Sequence, residues 1–121
     1  MKRENYHSDD PILFFRDLAT ACRGRAYRSN KFKCTITKED LLYLYEKQNH
    51  RCALSGIEMT TIKEKGRLPN NASIDRINPG GDYSIENIRL VCNHINMMRS
   101  NLSDNELIKY CKAIIDYANR I

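Results

Sequence analysis

Three polar side chains between residues 75 and 96 are of types that can handle a divalent cation. Asp75 offers a carboxylate, and Asn87 and Asn96 offer amide oxygens. Both are hard ligands suited to Mg²⁺ or Mn²⁺, which keep water or a substrate phosphate in their remaining positions. One such ion polarises a scissile phosphate and neutralises charge on the leaving oxygen. The same residue types most often serve turns as backbone-capping groups. The elements around them therefore decide between the two readings.

Ala72-Ser73-Ile74-Asp75-Arg76-Ile77 reads as a strand, and Asn78-Pro79-Gly80-Gly81-Asp82 is a strong turn signal. Ile88-Arg89-Leu90-Val91 is the returning strand, and a helix follows from about Asn93 to Arg99. Asp75 then ends a strand, Asn87 ends the turn region, and Asn96 lies one turn into the helix. A hairpin followed at once by a packed helix brings all three to one side.

On the N-terminal side, residues 1–9 read as a frayed tail. Asp10-Pro11 starts a helix, a cap residue and then proline at the first helical position. Phe15, Leu18, Ala19, Cys22 and Ala26 give it a buried face, and Gly24 argues against regularity to its end. Phe32 to Ile36 alternates and predicts a short strand. Thr37-Lys38-Glu39-Asp40 caps a second helix with Leu41, Leu42 and Tyr45 inside, stopping near Asn49 and His50. Cys52 to Leu54 is short and apolar, and Ser55-Gly56 turns the chain. Residues 60–71, with Gly66 and Pro69, read as a loop. Ser103-Asp104-Asn105-Glu106 is a capping box, and the stripe Leu107, Cys111, Ile114, Ala118 and Ile121 predicts a last helix packed on the rest. The expectation is one α+β domain over 1–121, with a basic helical lead-in (10–50), a hairpin-plus-helix motif (52–100) and a C-terminal helix (103–121).

The chain has 121 residues, 41% of them hydrophobic and 29% charged, with seven Tyr and three Phe to fill a core. That composition argues against disorder. No stretch approaches the roughly 18 apolar residues of a membrane span, and the N-terminus lacks a signal-peptide core. An intracellular, cytoplasmic location without membrane contact is expected. Five cysteines, at 22, 34, 52, 92 and 111, form no disulfide framework or four-cysteine metal pattern and read as small hydrophobes. Net charge is +5, concentrated in Arg23, Arg25, Arg28, Lys31 and Lys33 with no acid among them. Such a run attracts a polyanion, ordinarily DNA or RNA.

From Cys52 to Ser100 the sequence resembles the His-Asn-His (HNH) endonucleases of the ββα-metal class, particularly small phage and mobile-element forms. The resemblance lies in Cys52-Ala53-Leu54-Ser55-Gly56, Ala72 to Ile77, Gly81-Asp82-Tyr83-Ser84-Ile85-Glu86-Asn87-Ile88-Arg89-Leu90-Val91, and Asn93-His94-Ile95-Asn96-Met97-Met98-Arg99. It implies that Asp75 and Asn96 are metal ligands and that Asn87 holds the loop. Arg76 stands where the family usually has its general-base histidine. Arginine stays protonated and cannot take a proton from water, although it can clamp a phosphate. His94, His50 and Tyr83 are then the candidate bases. Many relatives also hold zinc on two Cys-x-x-Cys pairs. Here those pairs read Cys52 with Ser55 and Cys92 with Ile95, a poor structural zinc site.

The resemblance implies Mg²⁺- or Mn²⁺-dependent hydrolysis of phosphodiester bonds in double-stranded DNA. Asp75, Arg76, Asn87 and Asn96 would form the catalytic centre. Arg23, Arg25, Arg28, Lys31, Lys33 and Arg99 would contact DNA. The alternative, which Arg76 encourages, is a catalytically weak or inactive DNA-binding or packaging accessory protein that retains the fold.

Overall fold

The computed structural model describes residues 10–63 and 67–120. The tail expected over 1–9, Gly66 of the loop and Ile121 of the last stripe lie outside the described residues. Helix α1 (Pro11–Ser29) starts as its sequence dictates, with the Asp10 carboxylate accepting from Ile12 N–H at 2.9 Å and proline at the first position. It runs unbroken through Gly24 and ends at Asn30, whose left-handed backbone (φ 62°) directs its N–H to Ala26 O. Helix α2 (Lys38–Lys47) opens with the reciprocal Thr37–Asp40 capping box. It stops where Asn49 and His50 both take positive φ.

Strands β1 (Ala72–Arg76) and β2 (Ile88–Cys92) form one antiparallel pair, with Ala72 opposite Cys92 and Arg76 opposite Ile88. The loop between them closes through a 3₁₀ turn at Ile85–Asn87. Helix α3 (Asn93–Arg99) follows β2 without a spacer, and α4 (Asp104–Ala118) begins with the Ser103–Glu106 capping box. This is the α+β hairpin-plus-helix arrangement with flanking helices that the sequence predicts.

The core lies between the hairpin and the first two helices. Phe15, Ala19 and Cys22 of α1 meet Leu41, Leu44 and Tyr45 of α2, over Ile74, Ile88 and Leu90 of the sheet. Phe15 and Tyr45 rings pack edge to face, 5.2 Å apart. The Cys22 and Cys34 sulfurs approach to 2.9 Å as free thiols, and burial, with Cys34 alongside, pushes the Cys22 thiol up to about 12.

Two expectations need correction. Residues 32–36 form no strand; only Cys34 bridges Tyr83, in parallel. The partner segment turns into its 3₁₀ helix two residues later, so the ladder has nothing to extend along. The α4 stripe also does not pack as expected. Leu107 is buried and Cys111 half-buried, but Ile114 is 67% exposed and Ala118 is exposed as well. The helix leaves the body after its first turns, so an amphipathic pattern alone misled about where its partner lies.

Candidate functional site

Side chains on a strand alternate between its faces, so neighbouring Asp75 and Arg76 point to opposite sides of the hairpin. Asp75 faces α3 and α4 and is 4% exposed. One carboxylate oxygen accepts from Arg89 Nε at 2.8 Å, and the other from Arg99 Nη1. Arg89 stands directly across the ladder from Asp75 and reaches on to Asp104 with a two-pronged contact at 2.8 and 2.6 Å. Arg99, 2% exposed, also donates to the carbonyls of Arg76 and Ile77 at 2.7 and 2.9 Å. Its Nε lies 3.5 Å from Asp104 and makes no hydrogen bond among the described residues. Two carboxylates and two guanidiniums thus interlock beneath the hairpin.

The network shifts its members in the direction charge pairing requires. The Asp104 carboxylate holds the Arg89 proton more tightly than usual, against burial and with help from Asp75. In return, the Arg89 hydrogen bond pulls the Asp104 carboxyl below the ordinary range.

Helix α3 has no side-chain cap, but Asn93 and His94 N–H donate to the carbonyls of Asn71 and Pro69 at 2.9 and 3.0 Å. Those bonds seat the helix so that Asn96 Nδ2 reaches Ser73 Oγ at 3.0 Å and Ile74 O at 3.3 Å. Its Oδ1 accepts no hydrogen bond among the described residues. Asn96 therefore sits beside β1, next to Asp75, with one amide oxygen to offer.

Asn87 is committed to the loop. Its Oδ1 accepts from Asn78 N–H at 3.0 Å, while Nδ2 donates to Asn78 O at 3.1 Å and Asp82 O at 2.9 Å. The amide closes the turn like a clasp, the positioning role that the resemblance implies for it. Gly81 is required by the same contact, since a Cβ there would come within 2.7 Å of Asn87 Nδ2.

Arg76, on the other face, lies against the rings of Tyr83 and Phe32, at 4.8 and 5.3 Å from their centres, and donates to Gly81 O at 2.9 Å. The end of the basic segment is stitched onto the same loop. Lys33 N–H donates to Asp82 Oδ1 at 2.8 Å, Tyr83 N–H to Lys33 O at 2.8 Å, and Thr35 N–H to Tyr83 O at 3.0 Å. Arg25, Arg28, Lys31 and Lys33 are all exposed. Arg23 is used internally as well, donating to Ile36 O at 2.8 Å, which ties α1 to this segment.

The candidate bases are scattered. His50 sits at the α2 exit, bonded to Glu46 at 2.9 Å and stacked on Tyr45. His94 is exposed at the start of α3. Tyr83 is the one that touches another named site residue, packing on Arg76.

Of the groups that could hold a divalent ion, Asn96 Oδ1 is uncommitted, whereas both Asp75 oxygens are taken by guanidiniums. As the side chains stand, this donor set does not fit Mg²⁺. Among the described residues no cluster of three or more His, Cys, Asp or Glu is placed to hold a metal. Cys52 and Cys92 lie together in the core. Burial and the Cys52 sulfur push Cys92 up to about 11. For Cys52 burial acts upward too, but hydrogen bonds from Ser55 and neighbouring backbone N–H groups outweigh it and bring the thiol below its ordinary value.

Arg89 and Asp104 were not among the residues singled out from sequence. A signal for Arg89 existed: a lone charge in an apolar strand, four positions beyond the loop's end by hairpin counting from Asp75's partner row, implies a buried partner. Asp104 was masked by its place in a capping box.

No protein-family model matches the chain, and no curated protein matches it. Among solved structures, that of the rare-cutting HNH restriction endonuclease PacI, reported for its mechanism of DNA perturbation, aligns with a TM-score of 0.58 at 22% sequence identity. The alignment covers 87% of this chain and 76% of that one. The likeness is one of fold. No helix among the described residues is long and apolar enough to cross a membrane.

Proposed function

We propose that this protein is a DNA-binding module on an HNH-like fold, with nuclease activity weak or lost. The observation that carries the reading is the join between the basic segment and the hairpin loop. Backbone bonds through Lys33, Asp82 and Tyr83 set Arg25, Arg28, Lys31 and Lys33 on the element that carries Arg76. A surface of that charge neutralises successive phosphates of a duplex and releases their counterions. Contacts of this kind position DNA without reading its sequence. The interlocked Asp75 supports the weak-activity part, since a carboxylate neutralised by two guanidiniums is a poor cation ligand.

A second reading, a Mg²⁺- or Mn²⁺-dependent endonuclease with Asp75 and Asn96 as ligands, is favoured by the unengaged Asn96 Oδ1. It requires Arg89 or Arg99 to release Asp75. Duplex binding in EDTA and nicking of supercoiled plasmid in Mg²⁺ or Mn²⁺ separate the two. The expected result is binding in EDTA, with no nicking beyond that of Asn96→Ala. Metal-dependent nicking by the parent that Asn96→Ala loses would establish the second reading instead.

A further inference from the structure

Helix α4 projects an apolar face that its own chain does not cover. Ile108, Tyr110, Ile114, Ile115 and Tyr117 are each more than half exposed. Tyr110, Ala113, Ile114, Tyr117 and Ala118 line a shallow apolar hollow of about 420 Å³. A contiguous apolar surface of this kind on a charged chain marks an interface.

The charges along the helix say what fits there. At about 100° per residue, Glu106, Lys109, Asp116 and Arg120 fall within one arc bordering the apolar face, and all four are exposed. Read along the helix their signs run negative, positive, negative, positive. The order is antisymmetric about Ala113. A second copy running antiparallel reverses the sequence of signs, so Glu106 meets Arg120 and Lys109 meets Asp116, each twice by symmetry. In antiparallel helix pairs like borders face one another, which is the condition this needs. A parallel pair would set this border against the opposite one, where Lys112 supplies the one charge. Antiparallel packing also opposes the helix macrodipoles and puts the two hairpin bodies at opposite ends. Ala113, at the midpoint, lets the backbones approach.

We propose that the protein self-associates as a two-fold symmetric dimer through antiparallel pairing of α4. The interface is isologous, so it closes at two copies. The pairing goes beyond the DNA-binding reading and needs neither DNA nor metal.

Sedimentation equilibrium of the full chain across a range of concentrations tests it. A monomer–dimer equilibrium is expected for the parent, and Ile114→Glu should sediment as a monomer with its helical circular dichroism retained. Lys109→Glu alone and Asp116→Lys alone each turn two symmetry-related attractions into repulsions and should weaken the dimer on the order of tenfold. Combining Lys109→Glu with Asp116→Lys restores opposite charges across the pair and should return affinity toward that of the parent. A parent that stays monomeric at every concentration, or forms an assembly larger than a dimer, would overturn the proposal. So would a dimer indifferent to Ile114→Glu, or a double swap no tighter than either single change.

Discussion

Arg99 is a cation almost wholly removed from water, and its position makes sense only through its partners. It binds Asp75 and two carbonyls at the end of β1, so it fastens α3 to the hairpin. Breaking a buried pair leaves the other charge uncompensated, which costs about 3–5 kcal/mol. Arg99→Ala is therefore expected to lower unfolding free energy by about that amount, read as a fall in the urea midpoint. Arg99→Ala losing less than about 1 kcal/mol, the range of surface pairs, would show that the network is not structural. Asp104 gives the pH dependence. Its folded pKa lies below its unfolded value because Arg89 donates to it. Its contribution is thus fully present above the unfolded pKa, near 3.8, and disappears as pH falls through the lower folded one. Asp104→Asn should flatten the acid limb of stability against pH while leaving the shape of the curve above pH 5 unchanged, as measured by thermal unfolding.

At the scale of elements, the hairpin loop is set by one amide. Asn87 holds Asn78 and Asp82, and Gly81 leaves room for it. Gly81→Ala drives a methyl into Asn87 Nδ2 and is expected to cost about 1–3 kcal/mol, the usual range for overpacking. Wild-type stability in that variant, from the same urea experiment, would mean the loop has room to shift. Local signals explain how much of the architecture was readable. Capping residues at Asp10, Thr37 and Ser103, the Asn78–Asp82 turn and the Asn93–Arg99 helix are decided by neighbours in sequence, and each appears where expected. Positions decided by distant partners were less legible. Residues 32–36 look like a strand but find a partner only at Tyr83. The α4 stripe is amphipathic, yet sequence cannot say whether its face meets the same chain. In the candidate site, the proximity of Asn96 to β1 and the clasp of Asn87 followed from spacing and resemblance. The capture of Asp75 by Arg89 and Arg99 did not, because it depends on hairpin register and on how α3 crosses.

For the whole molecule, the net charge of +5 matters less than where it is presented. Acids elsewhere are drawn into caps and the buried network, whereas the exposed bases after Cys22 remain together beside the hairpin loop. Long-range attraction to a polyanion is therefore a property of this one face, and it weakens as salt shortens the Debye length. Double-stranded DNA affinity measured against salt concentration tests that claim most directly, comparing the parent with a variant carrying Arg25→Ala, Arg28→Ala, Lys31→Ala and Lys33→Ala. The expected result is weaker binding to every duplex sequence tried, with the log–log salt slope reduced by nearly one unit for each phosphate contact removed. A variant with the parent's affinity and slope would contradict the account, because DNA would then have to bind elsewhere or not at all.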